Sequence, residues 1–419
     1  MFKYQIEGGR RLLGCLTVHG AKNSVLPILS ATLLSKEKTI LHNCPSLTDV
    51  EAAIHIMEYL GCKVERQGTD IQIDPSGMNR TDIPEQLMHE MRSSIIFMGA
   101  ILSRSGHVSL YSPGGCELGP RPIDLHLKAL RRLGARITDE FGMLECRREG
   151  RLVGCEVVLS FPSVGATENT LLAAVTAQGT TTIVNAAREP EIADLAAYLN
   201  ACGARIRGAG EETIVVEGVA KLHGAEHTVI PDRIAAVTYM SAAAVTGGEV
   251  ELRGTNPQHL AAVLPLFEEM GCLVYREKDL VVVKRDRRMK SARLVRTAPY
   301  PGFPTDAQAL LMSMAIMAGG TTTFVENIFE NRYRHVAELR KLGARIQIDG
   351  RVATVEGVRW LKSADLTATD LRGGAAMALA LLASEGTGKL SEVQHIDRGY
   401  ENFIGLLRGI GASIQRIEE

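Results

Sequence analysis

The chain has 419 residues, 45% of them hydrophobic and 23% charged, enough to bury a large core and to fill two or three domains. A formal net charge of −1 gives no electrostatic case for nucleic acid or an anionic membrane as partner. The N-terminal MFKYQIEGGRRLLG has no apolar signal core, no apolar stretch approaches a membrane span, and the eight cysteines read as free thiols in a reducing, cytoplasmic compartment.

In chain order, six apolar, Ala/Met/Leu-rich runs recur: SVLPILSATLL (24–34), SSIIFMGAILS (93–103), NTLLAAVTAQ (169–178), IAAVTYMSAAAVT (234–246), DAQALLMSMAIMA (306–317) and GGAAMALALLAS (373–384). Being apolar all round, they are expected as buried helices rather than amphipathic surface ones. A β-rich piece such as GTTTIVNA (179–186) follows, then an amphipathic helix such as HLKALRRLG (126–134), then a two-stranded stretch such as ARIRGAGEETIVVEG (204–218). Each amphipathic helix closes on glycine: Gly61, Gly134, Gly203, Gly271, Gly343 and Gly411, a period of roughly 70 residues in which each Gly fits a left-handed C-cap.

The sixth unit stops at GASIQRIEE without a second strand, whereas FKYQIEGGRRLLG (2–14) aligns with ETIVVEGVAKLHG (212–224). The N-terminal segment is therefore expected to complete the last unit. That gives an enclosing domain of residues 1–21 plus 230–419 and an inserted domain of residues 22–229, three units each. One continuous solenoid is the alternative, but its ends should then carry polar caps.

Three features depart from the repeat. YSPGGCELGPRPIDLH (111–126) expands one connection into a Gly/Pro-rich loop around Cys116, with Arg121 placed to lower a thiol pKa; an incidental loop cysteine is the other reading. Cys62, Cys202 and Cys272, beside repeat glycines, are packing residues, and no His/Cys spacing suits zinc. Charged residues also open the apolar runs: Lys22 and Asn23, Arg92, Arg233, Asp306 and Arg372. An Arg at a helix start opposes the dipole but makes an anion site, and if these ends converge two domains would face each other across a polyanion-binding cleft. Finally, the loops at 185–194, 326–335 and 394–402 carry Arg188, Glu189, Glu191, Glu330, Arg332, Asp397 and Arg398, some of which must pair with one another; His335 and His395 read as structural.

Eight strings, GAKNSVLPIL (20–29), SPGGCELGPRPIDLH (112–126), SVGATENT (163–170), NAAREPEIAD (185–194), FPTDAQA (303–309), FENRYRHV (329–336), ATDLRGGAA (368–376) and HIDRGYE (395–401), resemble the UDP-N-acetylglucosamine 1-carboxyvinyltransferases in order along the whole chain. The resemblance implies an α/β fold of two inside-out, barrel-like domains, each of three βαβαββ repeats, with the active site in the cleft between them. It implies transfer of the enolpyruvyl group of phosphoenolpyruvate to the 3-hydroxyl of UDP-N-acetylglucosamine with release of phosphate, the first committed step of peptidoglycan precursor synthesis.

By the same resemblance Cys116 is the general acid, forms an adduct with phosphoenolpyruvate and is the target of fosfomycin, while Asp306 accepts the hydroxyl proton. Lys22, Asn23, Arg121, Arg372 and Arg398 hold phosphoenolpyruvate, with Lys22 and Arg398 counted among the catalytic groups. Asn23, Arg92, Arg121, Pro122, Ile123, Asp124, Leu125, Asp306 and Ile328 contact the UDP-sugar, and domain closure carries the 111–123 loop over the site. No metal, organic cofactor, nucleic acid or membrane is implied. Phe161 and Pro162 stand where some members carry a basic residue, which leaves the uridine contacts at 159–163 open. Other readings are the sister transferase acting on shikimate 3-phosphate, whose own glycine-rich motifs are absent, a catalytically idle paralogue that binds UDP-sugar or regulates, and an RNA-end-processing enzyme, for which no nucleotidylated His motif or basic groove is visible.

Overall fold

The computed structural model describes residues 2–91, 93–112 and 123–418. Cys116, Arg121, Pro122 and Arg92 therefore lie outside the described residues. The chain separates into two compact units, one from Met1–His19 with Pro231–Glu419, the other from the described residues between Gly20 and Ile230.

In the terminal unit the helices Arg233–Thr246, Thr305–Met317 and Leu371–Ala383 pack on one another. Every residue from Ala307 to Ile316 is buried, as an all-round apolar sequence requires. The buried Ser313 hydroxyl bonds across to the Ala376 carbonyl at 2.9 Å, which satisfies that hydroxyl and ties the two helices together. In the inserted unit helix Phe97–Ser105 packs on both Lys22–Thr32 and Val164–Ala174, and Ser103 reaches the Ala173 carbonyl at 3.0 Å in the same way.

Two of the six runs shift from their expected extent. Residues 94–96 form a 3₁₀ turn before the α-helix, which ends on Gly106 in a left-handed C-cap. Helix Val164–Ala174 starts five residues before Asn169 because Ser163 caps it, its side chain accepting from Ala166 N at 3.4 Å. The SVGATENT string thus forms the first turns of a helix rather than its approach.

The strands form six separate four-stranded sheets, three in each unit, and among the described residues none closes into a barrel. Strands alternate buried and exposed residues, as in Thr321–Val325, so one face of each sheet packs inward and the other meets water. Within each unit the apolar helices are buried and its three sheets turn one face to water, which is the inside-out arrangement.

Each sheet has one pattern: a strand parallel to its neighbour, then an antiparallel meander. Leu294–Arg296 pairs parallel with Thr321–Val325, which pairs antiparallel with Val352–Glu356, Phe324 opposite Ala353. Phe2–Glu7 lies antiparallel between Ser413–Glu418 and Thr387–Ser391. Glu226–Thr228 completes the sheet of Thr39–His42. In each unit at least one sheet is therefore completed by a sequence-distant strand, while the others are built from strands consecutive in the chain.

The six repeat glycines all lie in the left-handed region, with φ between 90° at Gly271 and 101° at Gly411. Gly343 has nothing within 4 Å of a added Cβ, whereas at Gly61 it would sit 2.7 Å from the Gly77 carbonyl oxygen. Gly343→Ala should cost about 1–2 kcal/mol of backbone strain alone. Gly61→Ala should cost more, and urea midpoints of the two variants check the order.

Candidate active site

In the terminal unit Asp306 is the second residue of helix Thr305–Met317, with 30% of its side chain exposed. Two guanidinium groups bracket it: Arg332 Nη2 donates to Oδ1 at 3.1 Å and Arg372 Nη2 to Oδ2 at 3.4 Å. Arg332, 2% exposed, also donates to the Thr305 carbonyl at 2.9 Å and lies 3.9 Å from Asp370. Arg372 lies over the Tyr400 ring, 5.2 Å from its centroid, and Tyr400 is anchored to Thr238 at 2.8 Å. Burial alone would lower the Arg372 guanidinium, yet Tyr400, Asp306 and Asp232 raise it above its usual range. It is a charge kept inside the unit, where a charge persists only if it is paired.

The charged helix starts have a second half that the sequence reading passed over. Asp232 caps helix Arg233–Thr246, accepting from Ile234 N at 2.8 Å and Ala235 N at 2.9 Å. Asp370 caps helix Leu371–Ala383, accepting from Arg372 N at 3.1 Å and Gly373 N at 3.0 Å. Each Asp supplies the anion the dipole favours, so the neighbouring Arg is tolerated at the helix end. Burial works against the Asp370 carboxylate, but Arg332, His335 and the Gly373 amide hold it below the usual carboxylate range. The Arg233 guanidinium stacks on Tyr300, 5.6 Å from the ring centroid.

Ile328 is tied to the same helix start through the fully buried Glu326. Glu326 Oε1 accepts from Ile328 N at 2.8 Å and Phe329 N at 3.1 Å, while Oε2 accepts from Thr305 Oγ1 at 3.0 Å. Arg398 is the C-cap of helix Gln394–Asp397, two residues before Tyr400. Its neighbour Asp397 accepts from Tyr4 at 3.0 Å and Arg416 at 2.9 Å and is a structural pair. Among the other loop candidates, Glu330 lies 3.7 Å from Arg351, and Arg188 donates to the Gly210 carbonyl at 3.4 Å.

In the inserted unit Lys22 is the first residue of its helix, and its Nζ donates to Asp49 Oδ2 at 3.1 Å. Asn23 is exposed beside it, and Pro27, four residues on, cannot donate to the Asn23 carbonyl. The helix start is held from below: Ser24 donates to Asp194, which also accepts from Ile230 N at 3.2 Å and bonds His227 at 2.9 Å. Ile123 precedes helix Asp124–Arg132 and is half-buried, as is Leu125. Asp124 is exposed and accepts from Lys128 at 3.0 Å. Glu191 and Glu189 face Glu168, whose carboxyl is pushed up to about 8, first by burial and then by those two charges.

Cys62, Cys202 and Cys272 are buried, 5%, 2% and 4% exposed, as packing residues should be. Among the described residues no group of three or more His, Cys, Asp or Glu could hold a metal ion, and no helix is long and apolar enough to cross a membrane. The structure thus brings Asp306, Arg372 and Ile328 to one helix start, with Arg398 close by in sequence to Tyr400. It adds Asp370, Glu326, Tyr400 and Asp49, whose roles the sequence reading missed. Asp232 and Asp370 had a local signal, an Asp just before an apolar helix; Asp49 had none.

Burial pushes His335 down to about 4, with Arg332 adding to the fall and Asp370 opposing it. The folded chain then binds fewer protons than the unfolded one between the unfolded value of about 6.5 and that pKa. Stability from this group is complete above the unfolded value and lost as pH falls toward 4. His335→Leu should remove about 2 kcal/mol of the stability difference between pH 7 and pH 5. Urea unfolding at both pH values measures it, and an unchanged difference would contradict the assignment.

The family model described as EPSP synthase (3-phosphoshikimate 1-carboxyvinyltransferase) matches residues 6–407. The chain is 48% identical, over 417 residues covering all of both chains, to UDP-N-acetylglucosamine 1-carboxyvinyltransferase 2 of Caldanaerobacter subterraneus subsp. tengcongensis. The chain belongs to the UDP-N-acetylglucosamine 1-carboxyvinyltransferases. Within that family it is also 48% identical to UDP-N-acetylglucosamine 1-carboxyvinyltransferase 1 of Symbiobacterium thermophilum, covering 99% of this chain and 95% of that one. Among solved structures, the enolpyruvyl transferase NikO from Streptomyces tendae superposes with a TM-score of 0.89 at 26% identity, covering 99% of this chain and 98% of that one. EPSP synthase from Acinetobacter baumannii gives 0.76 at 20% identity over all of both chains, a likeness of fold alone. The fold is that of the enolpyruvyl transferases.

Proposed function

We propose that the chain transfers the enolpyruvyl group of phosphoenolpyruvate to the 3-hydroxyl of UDP-N-acetylglucosamine and releases phosphate. The observation that carries this reading is 48% identity over the full length to a relative of that name. The half-open Asp306 carboxylate held between Arg332 and Arg372 supports it.

The reaction is an addition followed by an elimination. The sugar oxygen bonds to C2 of phosphoenolpyruvate as a proton is added to its methylene C3 and the hydroxyl proton leaves. In the second step C3 gives up a proton and the C2–O bond to phosphate breaks, restoring the enol ether. Asp306 takes the hydroxyl proton, oriented by two guanidiniums that leave part of the carboxylate open. Cys116 supplies the proton to C3. Lys22, Asn23, Arg121, Arg372 and Arg398 hold the phosphoenolpyruvate anion, its charge offset by cations fixed before the substrate arrives. Asn23, Arg92, Arg121, Pro122, Ile123, Asp124, Leu125 and Ile328 contact the UDP-sugar.

The step belongs to peptidoglycan precursor synthesis, hence to cell-wall biogenesis and through it to cell shape and division, in the cytoplasm. Cys116 is the residue that fosfomycin alkylates. Incubating the protein with both substrates and following the nucleotide by mass spectrometry should reveal a UDP-sugar carrying one added enolpyruvyl group. Fosfomycin should abolish its formation and add mass at Cys116. An unchanged sugar nucleotide that the folded protein still binds would favour the idle paralogue instead.

A further inference from the structure

Helix Asp124–Arg132 begins without a side-chain cap among the described residues, although its start carries Ile123, Asp124 and Leu125. An uncapped helix end frays, because its first four N–H groups have no partner within the helix. Besides Ile123 and Leu125, which pack half-buried against the core, its third residue, His126, 7% exposed, is tied to the fully buried Asn169. Asn169 Oδ1 accepts from Gly99 N at 2.8 Å, and a backbone N–H can only donate, so the amide orientation is fixed. Its Nδ2 has two protons. One goes to the Ile95 carbonyl at 3.0 Å and the other to His126 Nδ1 at 2.8 Å. His126 Nδ1 must therefore be an acceptor, which makes the ring the neutral Nε2–H tautomer. Burial, opposed by the Asp124 charge, pushes the imidazole down to about 4, in keeping with a ring that stays neutral.

Gly165 completes the seat. A Cβ there would lie 2.9 Å from His126 Cε1, so only glycine lets the ring rest on the helix. Gly165 and Asn169 are four apart on one face of helix Val164–Ala174, which gives a physical reason for the Gly and Asn of the SVGATENT string.

We infer that His126 is a positioning residue, locked through Asn169 and Gly165, that fixes the first turn of helix Asp124–Arg132 and thereby sets affinity for the nucleotide sugar. The inference rests on the function proposed above. It concerns binding of the sugar nucleotide and not the groups that move protons.

The test is steady-state kinetics of the full chain with phosphoenolpyruvate and UDP-N-acetylglucosamine. His126→Leu leaves an Asn169 N–H unpaired and should raise KM for the sugar nucleotide about 10-fold, with kcat and KM for phosphoenolpyruvate changed by less than about threefold. His126→Asn returns an acceptor to the Nδ1 position and should recover most of that loss. A purely structural role would lower the melting temperature but leave the sugar-nucleotide KM of the folded fraction unchanged, which overturns the inference. No turnover by the unsubstituted chain would sink the proposed function itself, a distinct result. Should His126→Leu not fold, ¹⁵N NMR of the unsubstituted chain decides: an unprotonated Nδ1 at pH 6 is expected, and a protonated Nδ1 overturns the lock.

Discussion

Asp306→Asn should lower kcat by about 10²–10⁴-fold while the chain stays folded. Asn has the shape of Asp, and its Oδ1 can still accept from Arg332 Nη2, now 3.1 Å from the carboxylate. Helix Thr305–Met317 would also keep its anchor, because Thr305 Oγ1 bonds Glu326 and the Thr305 carbonyl bonds Arg332 without using residue 306. What disappears is the charge and the capacity to take a proton from a hydroxyl. Affinity for the sugar nucleotide should change far less than kcat, and titration calorimetry alongside kinetics separates the two. Near-normal kcat would show that another group takes the proton.

The second large effect is on stability. Arg332→Met should cost about 3–5 kcal/mol, the range for removing one partner of a buried ion pair. Arg332 is 2% exposed and joins the Thr305 carbonyl, Asp306 and, at 3.9 Å, Asp370. Met fills much of the volume but leaves Asp370, 8% exposed, without the guanidinium that offsets its burial. Asp370 still caps helix Leu371–Ala383, so the damage should spread to the helix carrying Arg372. The exposed Lys128–Asp124 pair is the control. Lys128→Met should change stability by no more than about 0.5 kcal/mol, since exposed i,i+4 pairs contribute little. Urea midpoints of the two variants test the contrast, and equal values would mean that the Arg332 cluster is more hydrated than its burial indicates.

The parts of this fold that show in the sequence are those set by local rules. Gly61, Gly134, Gly203, Gly271, Gly343 and Gly411 stand out because one backbone conformation, left-handed and costly for other residues, recurs at each amphipathic helix end. The central helices stand out because a helix without a polar face has to be enclosed. Helix ends were less legible: Val164–Ala174 begins earlier than its apolar run because Ser163, a polar residue, sets the start.

The site divides along the same line. Asp306 and Arg372 sit at helix starts that the apolar pattern marks, so their positions could be read. Their partners could not, since Arg372 and Asp306 are 66 residues apart and Lys22 and Asp49 are 27 apart. Arg332 was one of seven charged loop residues, and nothing local separates it from Glu330, which pairs at the surface. Likewise the His126–Asn169 contact spans 43 residues and needs Gly165 to make room for the ring. Pairing across sheets and helices is a property of the assembled unit, and no periodicity encodes it.

The most direct measurement is phosphate release from phosphoenolpyruvate by the unsubstituted chain, run in parallel with UDP-N-acetylglucosamine, with shikimate 3-phosphate and with neither. Release that requires UDP-N-acetylglucosamine and stays at background with the other two is the result expected of this chain. Release with shikimate 3-phosphate, or equal background in all three reactions of folded protein, would contradict the proposed transferase.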